Sequence, residues 1–249
     1  MAMRNDLSVS ILKRIPGFVP FYVRSKEVYY SLVERLGFTP NKSLDVSRSY
    51  WEKRAVQLWE HDRNPDPTMT VALSEIVARL REIPPWESLL EVGCGFGRVL
   101  RGLRLVFPSA RLMGVDFSFK QLLHGRTYLV KNNVPLLQAS SIDLPFPPKR
   151  FDLVITNASL IYLNPTELER TLGEFRRVCG RVLLAEYSME YLDSPHRRRL
   201  LRRGPFYAHN LTASLKRTGW NVVSGGLMSA WQDQPMRLPL SLVEAEVSC

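Results

Sequence analysis

Leu89-Leu90-Glu91-Val92-Gly93-Cys94-Gly95-Phe96-Gly97-Arg98 is the stretch from which the rest of the chain can be read. Two leucines, an acid and a valine run into three glycines on alternate positions. Val99, Leu100 and Leu103 follow at helical spacing. The pattern predicts a buried strand, a tight turn and a helix start, which together turn backbone N–H groups toward a nucleotide-like ligand. A dinucleotide fingerprint, G-x-G-x-x-G, would carry its third glycine one position later. Here the spacing is G-x-G-x-G, and Glu91 stands two residues before the first glycine.

The 249 residues suffice for one large core, or for a main domain with a small appendage. A hydrophobic content of 45% with 23% charged residues is that of an ordinary globular protein. No uncharged stretch approaches the roughly 20 apolar residues of a membrane span. Arg4, Asp6, Lys13 and Arg14 interrupt the start of the chain, so no signal peptide is expected. Cys94, Cys179 and Cys249 lie far apart without C-x-x-C spacing. That argues against a disulfide framework or a metal site and makes a reducing cytoplasm the expected location. Cys94, inside the glycine turn, reads as a small packing residue rather than a nucleophile. The net charge of +10 admits nucleic acid, an anionic membrane surface or an acidic substrate as a partner.

Residues 1–45 read as an aromatic and helical arm or cap, broken by Pro16, Pro20 and Pro40. Phe18, Phe21, Tyr22, Tyr29 and Tyr30 are interleaved there with Lys13, Arg14, Arg24 and Lys26. Such a segment packs on the main domain, caps a substrate or makes a peripheral membrane contact. Residues 46–249 form the main domain. A helix over 47–61 carries Tyr50, Trp51, Ala55, Leu58 and Trp59 on one side. Another opens at Pro67 with Asp66 as its N-cap and buries Leu73, Ile76, Val77 and Leu80. Strands then follow at 88–92, 111–115, 135–139, 151–156 and 181–186. The helices expected among and after them run to 106, then over 119–131, 165–178 and 211–217. Two closing strands, 221–223 and 238–247, are joined without a helix, with Gly225-Gly226 assigned to their connection. Apolar strands alternating with amphipathic helices predict an α/β fold with a doubly wound, mostly parallel sheet, helices on both faces and an antiparallel last strand.

Ligands of such sheets bind beyond the carboxyl ends of the strands. Asp116, 23 residues past Gly93, is placed there to accept both ribose hydroxyls of an adenosine. Its alternative role is to cap the next helix, for which Phe117-Ser118 is the other candidate. After the third strand comes Gln138-Ala139-Ser140-Ser141-Ile142-Asp143-Leu144-Pro145-Phe146, and Phe151-Asp152-Leu153-Val154 opens the fourth. Asn157-Ala158-Ser159-Leu160-Ile161-Tyr162-Leu163 follows it.

These landmarks, in this order across about residues 86–186, resemble the class I S-adenosylmethionine-dependent methyltransferases, and among them the small-molecule branch called type 11 or 12. The resemblance implies a Rossmann-like seven-stranded sheet and S-adenosylmethionine as cofactor, with no metal. It implies a cofactor contact set of Glu91, Gly93, Cys94, Gly95, Gly97, Asp116, Phe117, Ser140, Ser141, Ile142 and Asn157. Tyr50 and Arg54, with Trp51, match an aromatic and a basic residue that meet the cofactor from the preceding helix. Ser140 stands where the family often has an acid for the adenine amino group; its hydroxyl can still bond an adenine edge.

Methyl transfer of this kind gains much from holding nucleophile, methyl carbon and sulfur in line. A general base helps when the nucleophile must lose a proton. Tyr162, Glu186, Tyr187, His196 and His209 are the candidates, and no spacing singles one out. Asn157-Ala158-Ser159-Leu160 lacks the (D/N/S)-P-P-(Y/F) motif that goes with methylation of base amino groups, and the chain has no Pro-Cys pair for pyrimidine carbon 5. Residues 187–210 read as an insertion that shapes the acceptor pocket. They hold His196 and the run Arg197 to Arg203, five arginines that suit phosphate or carboxylate groups, RNA phosphates or a solvated helix face. The reading is a methyltransferase for a small-molecule acceptor, anionic, glycosylated or lipid-linked. An RNA methyltransferase and a non-catalytic scaffold that binds the cofactor are the alternatives. Oligomeric state is not encoded in any feature of the sequence.

Overall fold

The computed structural model describes residues 51, 52, 55, 67–129, 131–192, 207, 209–229 and 240–247. The arm at 1–45, Tyr50, Arg54, His196 and the run Arg197 to Arg203 lie outside the described residues. The elements are α1 (Pro67–Glu82), β1 (Ser88–Val92), α2 (Arg98–Val106), β2 (Arg111–Asp116), α3 (Phe119–Tyr128), β3 (Leu136–Gln138) and β4 (Phe151–Asn157). They continue with α4 (Pro165–Val178), β5 (Cys179–Glu186), α5 (Leu211–Arg217), β6 (Trp220–Leu227) and β7 (Ser241–Val247). One seven-stranded sheet has the order β3-β2-β1-β4-β5-β7-β6. The first five strands pair in parallel, and β7 runs antiparallel to both β5 and β6. From β1 the chain moves outward to β2 and β3, then returns to β4 on the other side. Strand order therefore reverses between β1 and β4, which places the ligand crevice beyond Val92 and Asn157.

Alternation along the strands sends side chains to two apolar layers. Leu89, Leu112 and Ile155 pack with Ile76, Leu80, Leu100 and Leu103 on the face covered by α1, α2 and α3. Leu90, Val115, Val154 and Leu184 pack with Leu172, Phe175, Leu215 and Trp220 on the face covered by α4 and α5. All five residues of β1 are buried, as suits the central strand of a parallel sheet. Glu91 has no apolar partner role in this pattern, and its burial needs another explanation. A second buried acid, Glu244 on β7, is neutralised by Arg79 from α1 at 2.5 Å and by Arg181 from β5. That pairing ties α1 across the sheet to its antiparallel side.

The element boundaries read from sequence agree within a few residues, with one correction. Gly225-Gly226 lies inside β6 rather than in the β6–β7 connection. The reason is a close approach by Tyr191, which follows β5 in a short 3-10 turn (Met189–Tyr191). A Cβ on Gly225 would stand 2.0 Å from the Tyr191 hydroxyl. That hydroxyl also bonds Thr212 Oγ1 at 3.1 Å on α5. Glycine thus serves here as a space for a side chain, not as a turn. Among the described residues, no helix is long and apolar enough to cross a membrane.

Gly225→Ala should force Tyr191 off Thr212 and cost about 1–3 kcal/mol, in the range of overpacking a filled site. In a Tyr191→Ala background the same substitution should cost much less, because the two residues compete for one space. Thermal unfolding of the four proteins of this cycle checks it; equal losses in both backgrounds refute the assignment.

Candidate cofactor and active site

The turn after β1 is fixed by β2. Gly93 and Cys94 donate their N–H groups to the Val115 carbonyl at 2.9 and 3.0 Å. Gly95 donates to Asp116 Oδ2 at 2.8 Å. The other carboxylate oxygen of Asp116 accepts from Ser118 N at 2.8 Å. Ser118 in turn caps α3 by accepting from Gln121 N at 3.3 Å. Asp116, the last residue of β2, therefore joins the glycine turn to the helix start, while Ser118 performs the capping role.

The three glycines do different work. Gly93, Gly95 and Gly97 all have positive φ, at 73°, 55° and 87°. A Cβ on Gly93 would stand 2.4 Å from Ser159 Cβ, and one on Gly97 would stand 2.5 Å from Leu129 Cδ1. On Gly95 its nearest neighbour would be Gln121 Oε1, at 3.7 Å. Two glycines are filled against the protein, whereas a Cβ on the middle one would make only ordinary contact with Gln121. Cys94 is a packing residue: burial, with Asp116 and Glu91 nearby, holds its thiol protonated.

Three acceptor atoms near this turn are buried without a partner: Glu91 Oε2, Gln121 Oε1 and Asn157 Oδ1. A buried acceptor left unpaired costs about 1–3 kcal/mol. Unpartnered acceptors on β1, α3 and the end of β4 suit a ligand rich in hydroxyl and amino donors. Burial raises Glu91 to about 8, against the opposing pull of Arg98 and the Leu100 N–H of α2. Burial likewise raises Asp116 to about 6, although Ser118 and Gly95 N–H groups favour its carboxylate. Glu52 contributes a further negative charge there, and its carboxylate accepts from Lys120 N at 3.3 Å.

Beyond β3, Ser140 and Asp143 form an isolated antiparallel bridge, which closes the loop holding Ser141 and Ile142. Both serines and Ile142 are half-buried. The loop is fastened from α4. Ser141 Oγ and Thr171 Oγ1 lie 3.0 Å apart, Glu174 accepts from Leu144 N at 2.8 Å, and Arg177 donates to Leu144 O at 2.8 Å and to Phe146 O. Phe117 is half-buried between Asp116 and Ser118, and its carbonyl accepts from Gln138 Nε2.

Beyond β4, Ala158 adopts φ 52°, uncommon for a residue with a side chain, and a 3-10 turn (Leu160–Tyr162) follows. Glu186, at the end of β5, is fully buried, and its carboxylate accepts from Ser159 N at 2.9 Å and Leu160 N at 3.1 Å. His209 Nε2 sits 2.9 Å from the Leu163 carbonyl, with the ring stacked on Tyr207. Tyr162 meets Trp51 edge to face at 5.1 Å. Of the residues proposed as bases, Tyr162, Glu186 and His209 are thus brought to the carboxyl ends of β4 and β5, where Glu186 and His209 are occupied with backbone groups. The pairs Trp51–Tyr162 and Glu52–Lys120 place Trp51 against the turn after β4 and Glu52 at the start of α3. Glu52, Gln121 and Ser159 escaped the sequence reading. Only the close fit of Gly93 and the orphaned Gln121 oxygen, both tertiary facts, reveal the last two.

A doubly wound sheet with a glycine turn, a β2 acid and a crevice between β1 and β4 defines a nucleoside-binding α/β domain. Residues 89–181 match the family model described as a methyltransferase domain. The match supports the resemblance to the class I S-adenosylmethionine-dependent methyltransferases that the sequence landmarks carry. Over 117 residues it is 31% identical to the ubiquinone/menaquinone biosynthesis C-methyltransferase UbiE of Vibrio campbellii, covering 44% of each chain. Over 70 residues it is 36% identical to the malonyl-[acyl-carrier protein] O-methyltransferase of Legionella pneumophila, covering 28% of this chain and 25% of that protein. The chain thus spans under half the length of these curated relatives. In fold it is similar to the magnesium protoporphyrin IX methyltransferase of Synechocystis PCC 6803, with TM-score 0.63 and 16% identity over 83% of this chain and all of the other.

Gly95→Ala should fold, at a cost of about 1–2 kcal/mol for its left-handed backbone, yet bind S-adenosylhomocysteine at least tenfold more weakly. Gly97→Ala adds a clash with Leu129 to the same strain and should lose several kcal/mol of stability. Calorimetric titration beside thermal unfolding separates the two; full affinity in Gly95→Ala would show that the turn does not face the ligand.

Proposed function

We propose that this protein transfers the methyl group of S-adenosylmethionine to a small-molecule acceptor. The observation that carries the reading is the glycine turn itself, with Gly95 uncrowded, Asp116 fastened beside it, and Glu91, Gln121 and Asn157 offering unpartnered acceptors. In this reading Asp116 keeps lone pairs for the ribose hydroxyls, and Ser140, Ser141 and Ile142 bracket the adenine. The cofactor supplies an electrophilic methyl group on a sulfonium; the chain supplies orientation and the exclusion of water. Tyr50 and Arg54 are proposed to meet it from the helix that bears Trp51.

The acceptor enters from the edge formed by Trp51, Tyr162 and the segment 187–210. Two bonds support that placement: Tyr207 N donates to Ile161 O at 2.8 Å and Met189 N to His209 O at 2.8 Å. They bring Tyr207 against the post-β4 turn and Met189 against His209, beside which an acceptor pocket would lie. The engagement of Glu186 and His209 by backbone groups favours catalysis by alignment over catalysis by either as a base. The relatives named above act, by their names, on a malonyl-acyl carrier, a quinone precursor and a porphyrin. Small, carrier-linked or polycyclic acceptors are therefore the first to test. A reducing cytoplasmic location suits the free, buried thiols of Cys94 and Cys179.

Titration calorimetry with S-adenosylmethionine tests the reading, and a failure to bind overturns it. A linked effect sharpens the test. Glu91 near 8 and Asp116 near 6 hold protons in the free protein that a nearby sulfonium should expel. Binding is expected to strengthen as pH rises from 6 to 8 and to release protons at pH 7. The apparent enthalpy should therefore differ between buffers of unlike ionisation heat. In the free protein the sign is opposite for folding: both acids are raised, so stability falls as pH climbs from the ordinary carboxylate range through 8. Glu91→Gln should flatten that decline.

A further inference from the structure

We propose that Glu186 is a positioning residue that sets the glycine turn through Ser159, so that the acceptor edge and the donor site share one mechanical link. The proposal rests on the cofactor reading of the turn given above. Its basis is a chain of contacts from the end of β5 to the end of β1. The carboxylate of Glu186 accepts from Ser159 N at 2.9 Å, from Ser159 Oγ at 3.3 Å and from Leu160 N at 3.1 Å. Ser159 Oγ also lies 3.3 Å from the carbonyl of Val92, the residue before Gly93. Its Cβ lies 2.4 Å from the position a Gly93 Cβ would take. Ser159 is thus wedged between the acid and the turn.

Two features make this link more than packing. First, Ala158 holds φ 52°, a conformation that costs a residue with a side chain about 1–2 kcal/mol. Such strain persists only where neighbours impose it, and the Glu186 bonds to Ser159 and Leu160 are the clamp immediately after it. The strained residue follows Asn157, whose orphaned Oδ1 is one of the acceptors offered to the ligand. Second, the Ser159 hydroxyl has one proton and two acceptors, Val92 O and Glu186 Oε1. The charge on Glu186 decides how that proton is shared, and with it how tightly the end of β1 is held. Fully buried, Glu186 is an expensive residue for mere stability. A neutral side chain could fill the space, but only a carboxylate accepts from all three donors at once.

The test uses the full chain with S-adenosylhomocysteine as probe. Glu186→Gln leaves an amide N–H2 facing a backbone N–H and should weaken binding about tenfold. Ser159→Ala should weaken it severalfold. The double variant should bind no more weakly than Glu186→Gln alone, because both changes break one path. The Gly93 and Cys94 amide resonances should shift in both single variants before any ligand is added, which a remote loss of stability would not produce. Effects that add independently, or unchanged affinity and unmoved resonances, overturn the proposal. If Glu186→Gln fails to fold, Ser159→Ala alone decides, since a folded variant with wild-type affinity sinks the link. Absence of binding by the unaltered chain overturns the cofactor reading and the proposal with it, which distinguishes the two failures.

Discussion

The carboxylate of Asp116 is the tie on which the site depends. Parallel pairing sets Val92 beside Val115, so the ends of β1 and β2 lie side by side. Three successive N–H groups after β1 then find acceptors on β2: two share the Val115 carbonyl, and Gly95 takes Asp116. Glycine allows the left-handed conformations of this turn, but β2 selects one of them. Buried backbone donors need partners, and here the partner is also the acid that faces the crevice. The same carboxylate fixes the start of α3 through Ser118. Loop, helix and ligand acceptor are one construction.

Around it, acids are buried where a core would ordinarily hold apolar side chains. Glu91, Asp116 and Glu186 stand at or near the carboxyl ends of their strands, and burial lifts each above its ordinary range, Glu186 to about 7. Three buried carboxyl groups weaken the free fold. A ligand with a fixed positive charge reverses that balance, so the feature that looks unfavourable for folding is the one that suits binding.

Two of the runs that carry the family resemblance also contain fastenings between elements. Asp152 accepts from Glu87 N, Ser88 N and Ser88 Oγ, fastening the start of β4 to the start of β1 at the far end of the sheet from the crevice. Against the cost of partial burial, those donors hold its carboxyl below the usual range. Leu144 to Phe146 is held by Glu174 and Arg177 of α4, so that the loop at Ser140 to Ile142 keeps its place.

Period and punctuation determined the architecture. Two-residue alternation, helical spacing and glycines at 93, 95 and 97 fixed the strands and helices, the parallel sheet and the crevice beyond β1, because those signals are local. Gly225 misled for the same reason: a glycine reads as a turn until Tyr191, from a distant segment, is seen to occupy its side-chain space. Which glycine is left uncrowded, which buried acceptors lack partners, and how Ser159 joins β5 to β1 were decided only by tertiary structure. Each depends on atoms brought together from strands far apart in the chain, and no spacing within one segment can record such a meeting.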